Sequence, residues 1–124
     1  MKALPLAIAL SLLVPSATLA QSQLVEIATL TTGDVVSAEP ATKQVRGPFV
    51  TMYFTTKLSV PDGRVVKVRD RWKSDCRSMK TTWLNTKRYG ARGTLISWTD
   101  SINTNVRATP GSLAEVVHNY SCGK

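Results

Sequence analysis

The sequence predicts an α+β protein that is mainly β: an antiparallel sheet with a short C-terminal helix packed on it and one disulfide. Three observations lead there. Apolar and polar residues alternate from Val50 to Val60, and Val66, Val68, Trp72 and Cys76 share one face of the next stretch. That period of two marks strands with one buried side. Apolar residues recur at helical spacing near the end, at Leu113, Val116, Val117 and Tyr120. There are two cysteines, Cys76 and Cys122.

The chain has 124 residues, and its start is set apart from the rest. Met1-Lys2 is followed by an apolar run from Ala3 to Val14 and by Thr18-Leu19-Ala20. A positive start, an apolar stretch and a small-residue exit form a signal peptide over 1–20, with cleavage after Ala20. The run is too short to span a bilayer comfortably, so no transmembrane segment is expected in the mature chain. Residues 21–124 are then a single domain, large enough for one core and too small for two. No cysteine lies near the expected cleavage point to carry a lipid.

Leu24 to Leu30 reads as a strand that ends at Thr31-Thr32-Gly33-Asp34. Val35 to Gly47 is mixed and polar with Pro40 inside it, so part of it is expected as loop. Val50 to Val60 and Arg64 to Cys76 form a hairpin. A two-residue loop would set apolar residues against basic ones. A three-residue loop, Pro61-Asp62-Gly63, pairs Met52 with Trp72, Thr56 with Val68 and Leu58 with Val66. Proline suits its first position and glycine supplies the left-handed one. Asp70 then falls on the apolar side opposite Phe54, where it must lie near a rim or accept hydrogen bonds. Met79 to Tyr89 and Thr94 to Trp98 read as further strands around a turn at Tyr89-Gly90-Ala91-Arg92-Gly93. Thr99 to Thr109 reads as polar loop. Ser112 with Glu115 three residues on is a capping box, so a helix runs from Leu113 to Tyr120 and stops at Gly123.

Export places both cysteines in an oxidising compartment, and two cysteines allow one pairing, Cys76–Cys122. The chain-entropy model values a bridge over about 45 residues at roughly 4 kcal/mol. The absence of a Cys-x-x-Cys pair and the presence of a single histidine argue against a redox couple or a metal site. No cofactor is expected.

The formal charge is +8. Without Lys2, fifteen basic residues remain against eight acids, leaving +7. Such a balance suits acidic partners, and it also keeps a small protein soluble. The candidate anion- or partner-binding residues are Lys67, Arg69, Arg71 and Lys73, a row on one strand face spaced about 6.6–7 Å apart. The predicted register adds Lys57 opposite Lys67, a like-charge pair that costs stability unless an anion bridges it. It also sets Tyr53 opposite Arg71 as a stacking platform. The plain alternative is a solvated face whose charges guard against aggregation.

Catalytic residues are not expected. His118 falls off the apolar helix stripe, with Glu115 as its nearest acid, and reads as a surface histidine. Asp70 and Asp75 fall on opposite strand faces, both cysteines are used by the bridge, and no glycine-rich phosphate loop is present.

Asp75-Cys76, the turn around Gly93, and Pro110-Gly111-Ser112 followed by Cys122 resemble the surface-adhesin protein E family of exported Gram-negative proteins. The Asp62-Gly63 turn also matches, and the likeness runs from Phe49 to Cys122. Where members carry a tryptophan shortly before Pro-Gly-Ser, this chain has Asn105-Val106-Arg107-Ala108, with its tryptophan at Trp98. The resemblance implies an antiparallel sheet with a packed helix, a Cys76–Cys122 bridge and binding of host proteins. The expectation is therefore an exported protein of the periplasm or cell surface, a non-enzymatic binding or adhesin-like module. Its partner is an unknown envelope or host protein, or an acidic glycolipid. The alternative is a periplasmic polyanion or glycolipid binder that uses the basic face. Nucleic acid is not expected, because few aromatics interleave with the cations.

Overall fold

A computed structural model describes residues 23–124. The signal-peptide segment expected over 1–20 lies outside the described residues. Seven strands run β1 (Val25–Thr29), β2 (Val35–Arg46), β3 (Phe49–Asp62), β4 (Val65–Asp75), β5 (Lys80–Tyr89), β6 (Leu95–Thr99) and β7 (Thr104–Arg107). One helix, α1 (Leu113–Ser121), follows. The strands form one antiparallel meander in the order β1 to β6, and β7 also pairs with β5.

The alternation in β3 and β4 sets the architecture. Val50, Met52 and Phe54 point to one side and are buried together with Val36, Ala38 and Trp72. Helix α1 closes this side by placing Ala114 and Val117 against them. Tyr120 meets Phe54 edge-on at 6.3 Å, and Trp72 stacks on Trp83 at 6.2 Å. Hiding such side chains from water is the main favourable term in folding.

The expected register of the β3–β4 hairpin is present: Met52 faces Trp72, Phe54 faces Asp70, Thr56 faces Val68 and Lys57 faces Lys67. The turn differs. Asp62 pairs with Val65, leaving a two-residue loop, Gly63-Arg64, with φ of 61° at Gly63. The extra residues sit in a bulge between Lys57 and Asp62. Its cause is distant in sequence. Ser59 donates its backbone N–H to Asp34 Oδ1 (2.8 Å) and its hydroxyl to the Thr32 carbonyl (2.8 Å). That anchorage pulls β3 out of the ladder, so Leu58–Val66 is not a pair in the ladder and Val60 is solvent-exposed.

Two expected loops contain strand. All of the Val35–Gly47 stretch but Gly47 is β2, broken by a register shift between Glu39 and Gln44 around Pro40. Thr42 repairs the break: its hydroxyl donates to the Glu39 carbonyl (2.7 Å) and accepts from the Tyr53 N–H (3.0 Å). The Thr99–Thr109 stretch contains β7.

The helix begins as expected, with Ser112 Oγ accepting from the Glu115 N–H (3.1 Å). Its most buried side is rotated from the predicted stripe to Ala114, Val117, His118 and Ser121. Small residues let the helix approach the sheet closely, and the larger Leu113, Val116 and Tyr120 pack at the margins. This corrects the reading of His118 as a surface residue. It is fully buried, and its Nε2 donates to the Asp75 carbonyl at 3.0 Å. Next to that contact the Cys76–Cys122 disulfide joins the end of β4 to the end of α1.

Asp70 is buried and accepts from Trp83 Nε1 at 3.0 Å. Burial pushes its carboxyl above the usual 3.8, although Thr86, Trp83 and Arg88 act against the shift. Between 3.8 and the raised value, the folded chain holds a proton that the unfolded chain has released. Stability therefore falls as pH rises through that window, and the full cost of the buried charge is present at neutral pH. Asp70→Asn keeps an acceptor for Trp83 and removes the charge. It is expected to raise the melting temperature at neutral pH, with the gain vanishing below about pH 3.8 in paired thermal scans.

Candidate functional site

The side of the sheet away from α1 has no covering element among the described residues. Residues at odd positions of β3 and β4 point there, and the cross-strand pairs define its layout. One row runs Lys57, Lys67, Tyr89. The next runs Thr55, Arg69, Lys87, Trp98. A third runs Glu39, Tyr53, Arg71, Asn85, and a fourth runs Thr51, Lys73, Thr82, Asn105. The predicted residues Lys67, Arg69, Arg71 and Lys73 thus stand in one column, flanked by Lys57 and Tyr53.

The column is not uniform. Arg69 is committed to the fold. Its Nη2 donates to Glu39 Oε1 (2.6 Å) and Oε2 (3.0 Å), and its Nε donates to Oε1 (3.2 Å). The Arg69 guanidinium also lies 3.8 Å from the centre of the Tyr53 ring, closer than Arg71 at 5.8 Å. Tyr53 was expected to serve Arg71 and instead serves mainly Arg69. The β2 break positions this pair, because it keeps Glu39 opposite Tyr53 within reach of Arg69.

The remaining cations are differently placed. Lys67 Nζ lies 5.3 Å above the Tyr89 ring, and Lys73 Nζ lies 5.2 Å above Phe49. Arg71 donates to the neutral Gln44 Oε1 at 3.4 Å. Among the described residues, Lys57, Lys67, Arg71, Lys73 and Lys87 form no ion pair; the two ion pairs are Arg69–Glu39 and Arg77–Asp75. Asp75, at the end of the column, is occupied locally. The Arg77 backbone N–H, 3.0 Å away, is the main reason its carboxyl is held below the usual carboxylate range.

Lys87 and Trp98 belong to this face and were not anticipated. Lys87 was hidden by a bulge between Arg71 and Trp72 in the β4–β5 pairing, which switches the parity of β5. Trp98, 59% exposed, reaches the face through the β6 register, for which the local sequence carries no signal.

Elsewhere the chemistry is sparse. A hollow of about 450 Å³ near the β3–β4 turn is lined by Arg64, Arg92, Val66 and Ile96, with no carboxylate or histidine in its walls. No group of three histidine, cysteine or acidic residues is placed to hold a metal among the described residues. Nor is any helix among them long and apolar enough to cross a membrane.

The architecture defines a class: a one-sided antiparallel sheet with a disulfide-pinned C-terminal helix on one face and the other face open. No protein-family model matches the chain, and no curated protein matches it by sequence. Among solved structures it is similar to Haemophilus influenzae protein E. Crystal form II of that protein aligns with a TM-score of 0.62 and 13% identity over 91% of this chain and 97% of that one. A second protein E structure gives 0.56 and 12%, over 90% and 95%. At that identity the likeness is one of fold alone; the sheet, helix and Cys76–Cys122 bridge are those of this chain's own structure.

Proposed function

We propose that this chain is an exported, non-enzymatic binding module of adhesin-like kind, and that its open sheet face engages an acidic partner. The observation that carries this reading is the charge layout. Five cations without an ion pair among the described residues stand on one face, while the nearby acids Glu39 and Asp75 are already engaged. Cations crowded on a low-dielectric surface repel one another and gain when an anion arrives. The fold shared with protein E supports a binding role without fixing the partner. A host or envelope protein with an acidic surface is one candidate. The direct opposition of Lys57 and Lys67 favours the second reading, a polyanion or glycolipid binder. His118 is fully buried and donates to the Asp75 carbonyl, which supports a structural role for this histidine.

The test is charge reversal at residues that form no ion pair among the described residues. The double change Lys67→Glu and Lys73→Glu is expected to reduce binding to an anionic glycolipid vesicle more than tenfold at low salt, with an unchanged circular dichroism spectrum. Binding by the unaltered protein should weaken as salt shortens the screening length. Equal binding by both proteins at every salt concentration would sink the reading.

A further inference from the structure

Trp98 is the most exposed aromatic ring on the described surface, and it stands directly opposite Lys87. The other three rings of this face are already capped: Tyr53 by Arg69, Tyr89 by Lys67 and Phe49 by Lys73. The Trp98 indole, by contrast, lies at the margin of the cation field. An apolar ring left in water beside a row of unmatched cations suits a ligand with an apolar ring face and acidic substituents. From the Trp98 and Lys87 geometry we infer that the face binds an acidic saccharide, with one sugar ring seated on Trp98. This rests on the reading of the sheet face as a binding surface.

The layout sets the contacts. A ring on Trp98 places its acidic groups over Lys87, one strand spacing of about 4.8 Å away. A further spacing inward lies the β4 column, where Lys67 and Arg71 flank Arg69. The chain of sugars then runs across the strands from β6 toward β3, ending near Lys57. Single-stranded nucleic acid fits less well, because its bases need successive open stacking platforms and this face offers one. The acidic sugar can come from a sulfated host glycan or from the phosphorylated core of an envelope glycolipid, since both present anionic groups on pyranose rings.

The experiment titrates the protein with a heparin hexasaccharide, a phosphorylated lipopolysaccharide core oligosaccharide, inorganic polyphosphate and single-stranded DNA. Tryptophan emission and calorimetry are the readouts. Trp98→Ala is expected to weaken binding of at least one of the two saccharides about fivefold and to leave polyphosphate binding unchanged, whereas Trp98→Phe keeps most of the affinity. The saccharide that is bound identifies the source. Equal loss for polyphosphate, no loss at all, failure of both saccharides to bind, or tighter binding of DNA with the same Trp98 dependence overturns the inference. The Lys67→Glu and Lys73→Glu protein separates the two claims. If that change abolishes polyphosphate and saccharide binding while Trp98→Ala does nothing, the cationic face stands and the sugar falls. If it changes neither, the face itself falls.

Discussion

Replacing Cys76 and Cys122 together with serine is expected to lower stability by about 4 kcal/mol, the loop-closure value for a bridge of this span. The two residues lie 46 apart in sequence. The consequence is concentrated in α1, a helix of nine residues that is too short to persist alone in water. Its innermost side holds Ala114, Val117, His118 and Ser121, with Leu113, Val116 and Tyr120 packed at the margins, and the bridge fixes this contact at the helix end. His118 donating to the Asp75 carbonyl is the second tie at the same place, and it depends on the helix staying down. Urea unfolding followed by tryptophan emission measures the loss, because Trp72 and Trp83 lie under the helix side of the sheet. Addition of a reductant to the unaltered protein should reproduce the serine variant. A loss under about 1 kcal/mol would mean that helix docking does not need the bridge.

The second large effect lies on the opposite face. Arg69→Ala is expected to cost about 3–4 kcal/mol, because it strands a buried carboxylate. Glu39 is only 5% exposed, and Arg69 supplies every side-chain hydrogen bond to its carboxylate among the described residues. The loss of the guanidinium over Tyr53 adds to the cost. Replacing both partners with apolar residues, Glu39→Leu with Arg69→Met, should recover most of the stability, since no unmatched charge remains. Chemical denaturation of the single and double variants checks this. A double variant no more stable than Arg69→Ala would contradict the ion-pair account. Arg69 is accordingly a poor probe of ligand binding, because its loss acts on the fold first.

The part of this site that could be read in the sequence is the part set by alternation. The period of two through Met52, Phe54, Val68 and Trp72 fixed which residues face outward, and with it the Lys57–Lys67 and Tyr53–Arg71 pairs. The turn position was not legible, since Ser59 is held by Asp34 from 25 residues away. Arg69 and Arg71 look alike in a row of four cations. Only the break at Pro40 brings Glu39 to one of them and so divides structural from available charge. The helix misled in a different way: hydrophobicity marked Leu113 and Tyr120, whereas close approach selected Ala114 and Ser121 and carried His118 inside. Trp98 was visible as a residue, but its place beside Lys87 follows from a strand pairing that no local pattern specifies.

The claim that the cation-bearing side of the sheet is where this protein meets its partner is tested most directly by amide chemical-shift mapping on the isotopically labelled protein during titration with the acidic saccharide. The account predicts shifts clustered at Lys57, Lys67, Arg71, Lys73 and Lys87 and at the Trp98 indole, with Ala114 to Ser121 unmoved. Shifts gathered on the helix side, or at the strand turns alone, would contradict it.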